Sequence, residues 1–141
     1  MQIPSNIKVL FIAGFGPIVP DQAAPSRTLY REHLGIQFKE EKDGYLHTES
    51  IPGAKSFALW PLPHAAQSCF GQPVWPAHVP TPQAWLEFDV DDVEQATAAL
   101  ESAGYKLLVK NKKEPWGQIV SRLLSPEGLL LGLTFTPQMR Q

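Results

Sequence analysis

One succession of segments occurs twice in this chain, and it limits the fold more than any single motif. From Ile7, "IKVLFIAGFGPIV" reads as a buried strand broken by Gly14, Gly16 and Pro17. "DQAAPSRTLYREHLG" follows as a helix: Pro25 and Ser26 suit a first turn, Leu29 and Leu34 begin an apolar stripe, and Gly35 supplies the stop. Three short strands come next. "IQFKEEK" and "YLHTES" flank Asp43-Gly44, a dipeptide favoured in hairpin turns, and "KSFALWPL" follows the Pro52-Gly53 turn signal.

The second half takes the same course. The strand "AWLEFDV" runs into Asp91 and Asp92, where an acidic N-cap with Glu94 or Gln95 beyond it forms a capping-box pattern. Val93, Ala96, Leu100 and Ala103 fall on one helical face, and Gly104 ends the helix as Gly35 ends the first. "YKLLVKN", "GQIVSRLLS" and "LLLGLTFTP" are then three more strands, separated by Pro115-Trp116-Gly117 and Pro126-Glu127-Gly128. Gly35 and Gly104 stand about 70 residues apart, the spacing of a duplicated module rather than of a short solenoid repeat. The predicted fold class is α+β, with two tandem βαβββ modules over residues 1–62 and 83–141 forming one domain. The connector, 63–82, belongs to a proline-dense stretch that excludes a central strand and stiffens the path. With Phe70 and Trp75 it reads as a packed cover, with one helical turn at "AAQSCF".

Composition narrows the partners. A net charge of −2 and a pI near 6.1 make no electrostatic case for nucleic acid or an anionic membrane. Cys69 is the single cysteine, which excludes an internal disulfide framework, and with no base beside it the residue reads as a small buried side chain. The N-terminal "MQIPSNIKVLFIAG" lacks a basic stretch followed by a long apolar one, and no run reaches the roughly 18 residues of a membrane span, so a cytoplasmic protein is expected.

The ordered set "SRTLYREHLG", "WLEFDVDDVEQATAALESAG" and "EPWGQIVSRLLSPEGLLLG" resembles the vicinal oxygen chelate superfamily of glyoxalases, dioxygenases and bleomycin- or fosfomycin-resistance proteins. Pro-Trp-Gly followed by Pro-Glu-Gly is most similar to the bleomycin-resistance branch. The resemblance implies cupped mixed sheets with helices on the convex side, and a homodimer that shapes the cavities. Strand alternation would then put Leu86, Phe88 and Val90 beneath the helix and Trp85, Glu87 and Asp89 toward the cup.

The resemblance also implies where metal-dependent members hold their ligands. Counted onto this sequence, those positions are Phe15, Trp85, Gly132 and one of Ser56, Ala58 and Trp60; only Ser56 is a donor, and a weak one. His33, His47, His64 and His78 show no HxH or HxxxH spacing. His47 and Glu49 share a strand face and could form a ligand pair, but a structural role is the preferred reading. No metal and no cofactor are expected.

The candidate ligand-binding set is therefore Phe15, Phe38, Trp60, Trp85 and Trp116 for stacking on a planar guest, with Glu87, Asp89, Gln118 and Arg122 for polar contacts. Each has a plainer reading. Trp60 and Trp85 can be core or interface, Trp75 an anchor of the connector, Asp89 a helix cap, and Arg122 a partner of Glu87 or of a second subunit. The leading expectation is a metal-free homodimer that sequesters an aromatic natural product or antibiotic, with no catalytic residue. The alternatives are a metal-independent enzyme using Glu87 as general base, with Asp89 beside it, and a lyase- or dioxygenase-type enzyme with displaced metal ligands.

Overall fold

A computed structural model describes residues 7–21 and 24–140 of the chain. Eight strands form one mixed sheet: β1 (Val9–Val19), β2 (Lys39–Glu40), β3 (Leu46–Thr48), β4 (Phe57–Pro61), β5 (Ala84–Val90), β6 (Val109–Lys113), β7 (Ile119–Leu124) and β8 (Leu130–Phe135). Their spatial order is β2-β3-β4-β1-β5-β8-β7-β6. β1 and β5 pair antiparallel at the centre, β1 runs parallel to β4, and β5 runs parallel to β8. Both parallel pairings are reached by a crossover that contains a helix and two further strands.

Among the described residues, three α-helices flank the sheet. α1 (Ala24–Arg27) continues into a π-helical segment, Thr28–His33, and the chain turns away through Gly35 at φ +72°. Its Tyr30 covers a cluster of Val19, Leu46, Leu59, Phe38 and Phe57. α3 (Val93–Ser102) starts as the sequence indicates, Asp92 accepting the Gln95 backbone N–H at 3.0 Å, and it buries Val93 and Ala96 against Val90 and Leu133. Val90 alone of the expected row joins that cluster. Leu86 and Phe88 are half-buried opposite Phe15 and Ile12 of β1, in a seam that neither α1 nor α3 covers.

The connector holds more order than the single turn read from sequence. α2 (Leu62–Phe70) is a full helix, because Pro63 falls in its first turn, where the missing N–H is no loss, and Gly71 at φ +74° closes it. Ala65, Ala66 and Cys69 of α2 pack with Trp75, Ala58, Trp85 and Leu130 on the other face of the sheet. Phe70 meets Trp75 edge-on at 4.9 Å, and the Trp75 indole donates to the Val79 and Pro80 carbonyls. Trp75 is therefore an anchor of the connector. None of the described helices is long and apolar enough to cross a membrane.

Candidate functional site

The face of the sheet that carries α2 also bears a cavity of about 1430 Å³. Its floor is one row across four strands, since Gly14 of β1 registers with Glu87 of β5, Glu87 with Gly132 of β8, and Gly132 with Arg122 of β7. The two glycines are spatial requirements. A Cβ on Gly14 would stand 2.8 Å from the Trp85 ring, and one on Gly132 would stand 2.9 Å from Glu87 Cγ and 3.3 Å from Arg122 Nη1. Gly14 thus leaves the volume that the Trp85 ring occupies, and Gly132 the volume that the Glu87 side chain and the guanidinium occupy.

Polar contacts join floor to mouth. Arg122 Nη1 donates to Glu87 Oε2 at 3.0 Å, and Gln118 Nε2 donates to Glu87 Oε1 at 3.1 Å and to Thr136 Oγ1 at 3.0 Å. Trp116, 58% exposed at the rim, donates its indole N–H to Gln118 Oε1 at 3.1 Å. The Arg122 guanidinium lies 4.8 Å over the Trp60 ring, and Trp60 meets Trp85 edge-on at 6.0 Å. Trp85 is nearly sealed, its indole N–H donated to the Ala58 carbonyl at 3.2 Å. It serves as core and as cavity wall together.

The opposite wall comes from the β2–β3 hairpin. His47 Nε2 lies 2.6 Å from Glu41 and Nδ1 lies 2.8 Å from Glu49, with the Tyr45 ring stacked on the imidazole at 5.2 Å. Burial pulls the His47 pKa down, but the hydrogen bonds to Glu41 and Glu49 outweigh it, and the net direction is upward. For Tyr45, burial first and the Glu87 carboxylate second raise the phenol well above its ordinary range, which keeps it a neutral donor. Cys69 is pushed up to about 11, chiefly by burial, so its thiol is no nucleophile near neutral pH.

Six of the nine candidate residues meet at this cavity: Trp60, Trp85, Glu87, Trp116, Gln118 and Arg122. Three lie elsewhere. Phe15 is turned to the helix face because the β1–β5 register shifts between Ile12 and Gly14, which puts Ala13 and Gly14 both inside and reverses the alternation beyond them. There it packs edge-on against Phe57 at 5.6 Å. Phe38 stacks on Phe57 from the same side. Asp89 shares the side-chain row of Glu87, yet it is wholly buried beyond the cavity's end, where it accepts from Thr134 Oγ1, Thr136 N and Oγ1, and Arg140 Nε. It caps no helix. It ties the C-terminal segment to the sheet instead. Sequence reasoning missed Tyr45, Thr136 and the α2 residues His64, Gln67 and Ser68, all of which line the cavity; the glycines inside strands were the one available signal for where it opens.

The positions implied for metal ligands do not fit a divalent ion. They present Trp85, Gly132 and, on β4 and the residue before it, Ala58, Trp60 and Ser56, while β1 turns Ala13 and Gly14 inward. Among the described residues, no group of three His, Cys, Asp or Glu side chains is placed to hold a metal.

Comparison with known proteins bears on the fold. The family model of the Glyoxalase/Bleomycin resistance protein/Dioxygenase superfamily matches residues 12–133. A solved structure of a superfamily member from Vibrio splendidus 12B01 aligns with TM-score 0.56 at 15% identity, covering 92% of this chain and 98% of that one. Methylmalonyl-CoA epimerase from Mycobacterium tuberculosis aligns with TM-score 0.55 at 18% identity, covering 98% and 96%. No curated protein matches the sequence. At such identities the solved structures establish a shared fold and no shared activity.

Proposed function

The chain belongs to the glyoxalase/bleomycin resistance protein/dioxygenase superfamily, and from that premise we propose that it is a metal-free binding protein for a planar aromatic small molecule of the natural-product or antibiotic class. One observation carries the reading: the positions where metal-dependent members would hold ligands present Trp85, Gly132, Ser56, Ala58 and Trp60, and the Glu87–Arg122 pair lines the cavity between them. Trp60 and Trp116 add ring surface, and about 1430 Å³ admits a drug-sized guest. Protection would be stoichiometric, because free drug falls only as binding sites outnumber it.

The general-base reading of Glu87 has less support. Both of its oxygens already accept hydrogen bonds from Arg122 and Gln118, and Asp89 is not beside it in the cavity. The uncovered seam at Ile12, Phe15, Leu86 and Phe88 supports a homodimer formed through the helix face. Light scattering should give twice the chain mass, and Phe15→Glu should give monomers. The repeated strand order further supports descent of the halves from one duplicated βαβββ module.

Titration calorimetry against a panel of planar antibiotics tests the main proposal. Binding tighter than about 100 μM to at least one compound is expected, weakened about tenfold in Trp116→Ala, with the compound recovered unchanged. Binding to none would remove sequestration. A chemically altered compound would instead favour an enzyme.

A further inference from the structure

Arg122 is almost fully enclosed, at 1% exposure, yet among the described residues its side chain makes a single hydrogen bond, from Nη1 to Glu87. A guanidinium carries five N–H donors and no acceptor. Its Nε is sealed from solvent and has no partner among the described residues. Buried donors in folded proteins are nearly always met by protein, water or ligand, and Arg122 lines the cavity, so its guanidinium has donors left for an acceptor bound there. The guanidinium also lies over the Trp60 ring at 4.8 Å.

We propose that Arg122 is the recognition donor of the cavity and takes an uncharged carbonyl oxygen conjugated to the planar ring of the ligand. The inference rests on the planar-ligand reading above and adds the chemical group that is read. The local charges select it. Glu87 already neutralises the guanidinium at 3.0 Å, so a ligand carboxylate would bring a second negative charge against Glu87 in a poorly solvated site. An ammonium would set donor against donor. A neutral carbonyl accepts from Arg122 without either penalty, while its ring lies along the same tryptophan wall.

Fluorenone and fluorene share one ring frame and differ in a carbonyl oxygen, and a fluorene carboxylate adds the charged arm. Tryptophan-fluorescence titration of the whole protein should show fluorenone binding about tenfold or more tightly than fluorene, with the carboxylate no better than fluorene. The order runs against simple hydrophobicity, which favours fluorene. Arg122→Met should bring the fluorenone-to-fluorene affinity ratio to about one. Should that variant fail to fold, Glu87→Gln provides the second arm: with the competing charge gone, the carboxylate should rise to the affinity of fluorenone. Equal binding of fluorenone and fluorene to the native protein overturns the proposal, as does a preference that survives in Arg122→Met. Absence of binding by all three compounds takes down the planar-ligand reading, and this inference with it.

Discussion

The two walls of the cavity hold their charges in opposite ways. On the β5–β8–β7 side, Glu87 and Arg122 form a pair whose side chains are 12% and 2% exposed, flanked by glycines and closed by Gln118 and Trp60. On the β2–β3 side, His47 sits between Glu41 and Glu49, whose side chains are 56% and 43% exposed. Distance alone would rank the hairpin contacts as the stronger, at 2.6 and 2.8 Å against 3.0 Å. Burial reverses that order for the loss of one partner, because a charge stranded in a desolvated site has no water to replace its mate.

The sharpest break of this comparison is therefore Glu87→Ala. It strands Arg122 and should cost about 3 to 5 kcal/mol in urea unfolding, whereas Glu49→Ala on the exposed side should cost under about 1 kcal/mol. Similar losses in the two variants would mean that water already reaches the Arg122 site freely. Replacing both partners, Glu87→Leu with Arg122→Met, should restore much of the stability, since the penalty belongs to the orphaned charge and not to the missing pair.

A second comparison lies within β5. Asp89 stands two positions beyond Glu87 in the same row, wholly buried, and receives donors from Thr134, Thr136 and Arg140. Asp89→Ala leaves those donors without their acceptor, though Arg140 remains partly solvated at 21% exposure. A loss of about 2 to 3 kcal/mol is expected, smaller than for Glu87→Ala. Hydrogen exchange should quicken first at Thr136 and through Met139. Gln138 and Met139 line the cavity, so binding should weaken with it; unchanged exchange there would make Asp89 a purely local support of β8.

What could be read in the sequence follows the range of the forces involved. The starts and stops of α3 and the Asp43-Gly44 turn are local chemistry, and they stand where the sequence puts them. The positions of Trp85 and Glu87 were legible because β5 pairs with β1 and β8 through both residues with alternation intact. Phe15 was not, since the irregularity between Ile12 and Gly14 arises from pairing with β5 and leaves no mark in β1 alone. α2 was obscured by prolines that read as breakers when taken singly and as a first turn when placed. The contact of Arg122 with Glu87 crosses from β7 over β8 to β5, so the sequence offered Glu87 as one of several partners for Arg122, and only pairing across the sheet selects it.

The smallest expected effect separates the walls by pH. Burial lowers the His47 pKa, the carboxylates of Glu41 and Glu49 raise it more, and the folded value lies above the ordinary 6.5. A base whose pKa rises on folding adds stability that is fully present below pH 6.5 and is lost as pH climbs through the folded value. The urea midpoint should therefore fall across that window, by under about 1 kcal/mol given the exposure of both carboxylates. In His47→Gln the slope should flatten, and NMR titration of the His47 ring should follow the same curve in the native protein. A slope that survives the substitution would assign the titration to another group and leave the hairpin clamp without a share in stability. Loss of the slope would instead mean that the cavity has one wall whose charge is set by solvent pH, facing a floor whose ion pair is buried. Ligand affinity measured on either side of the transition would then report the hairpin's contribution separately from that of Arg122.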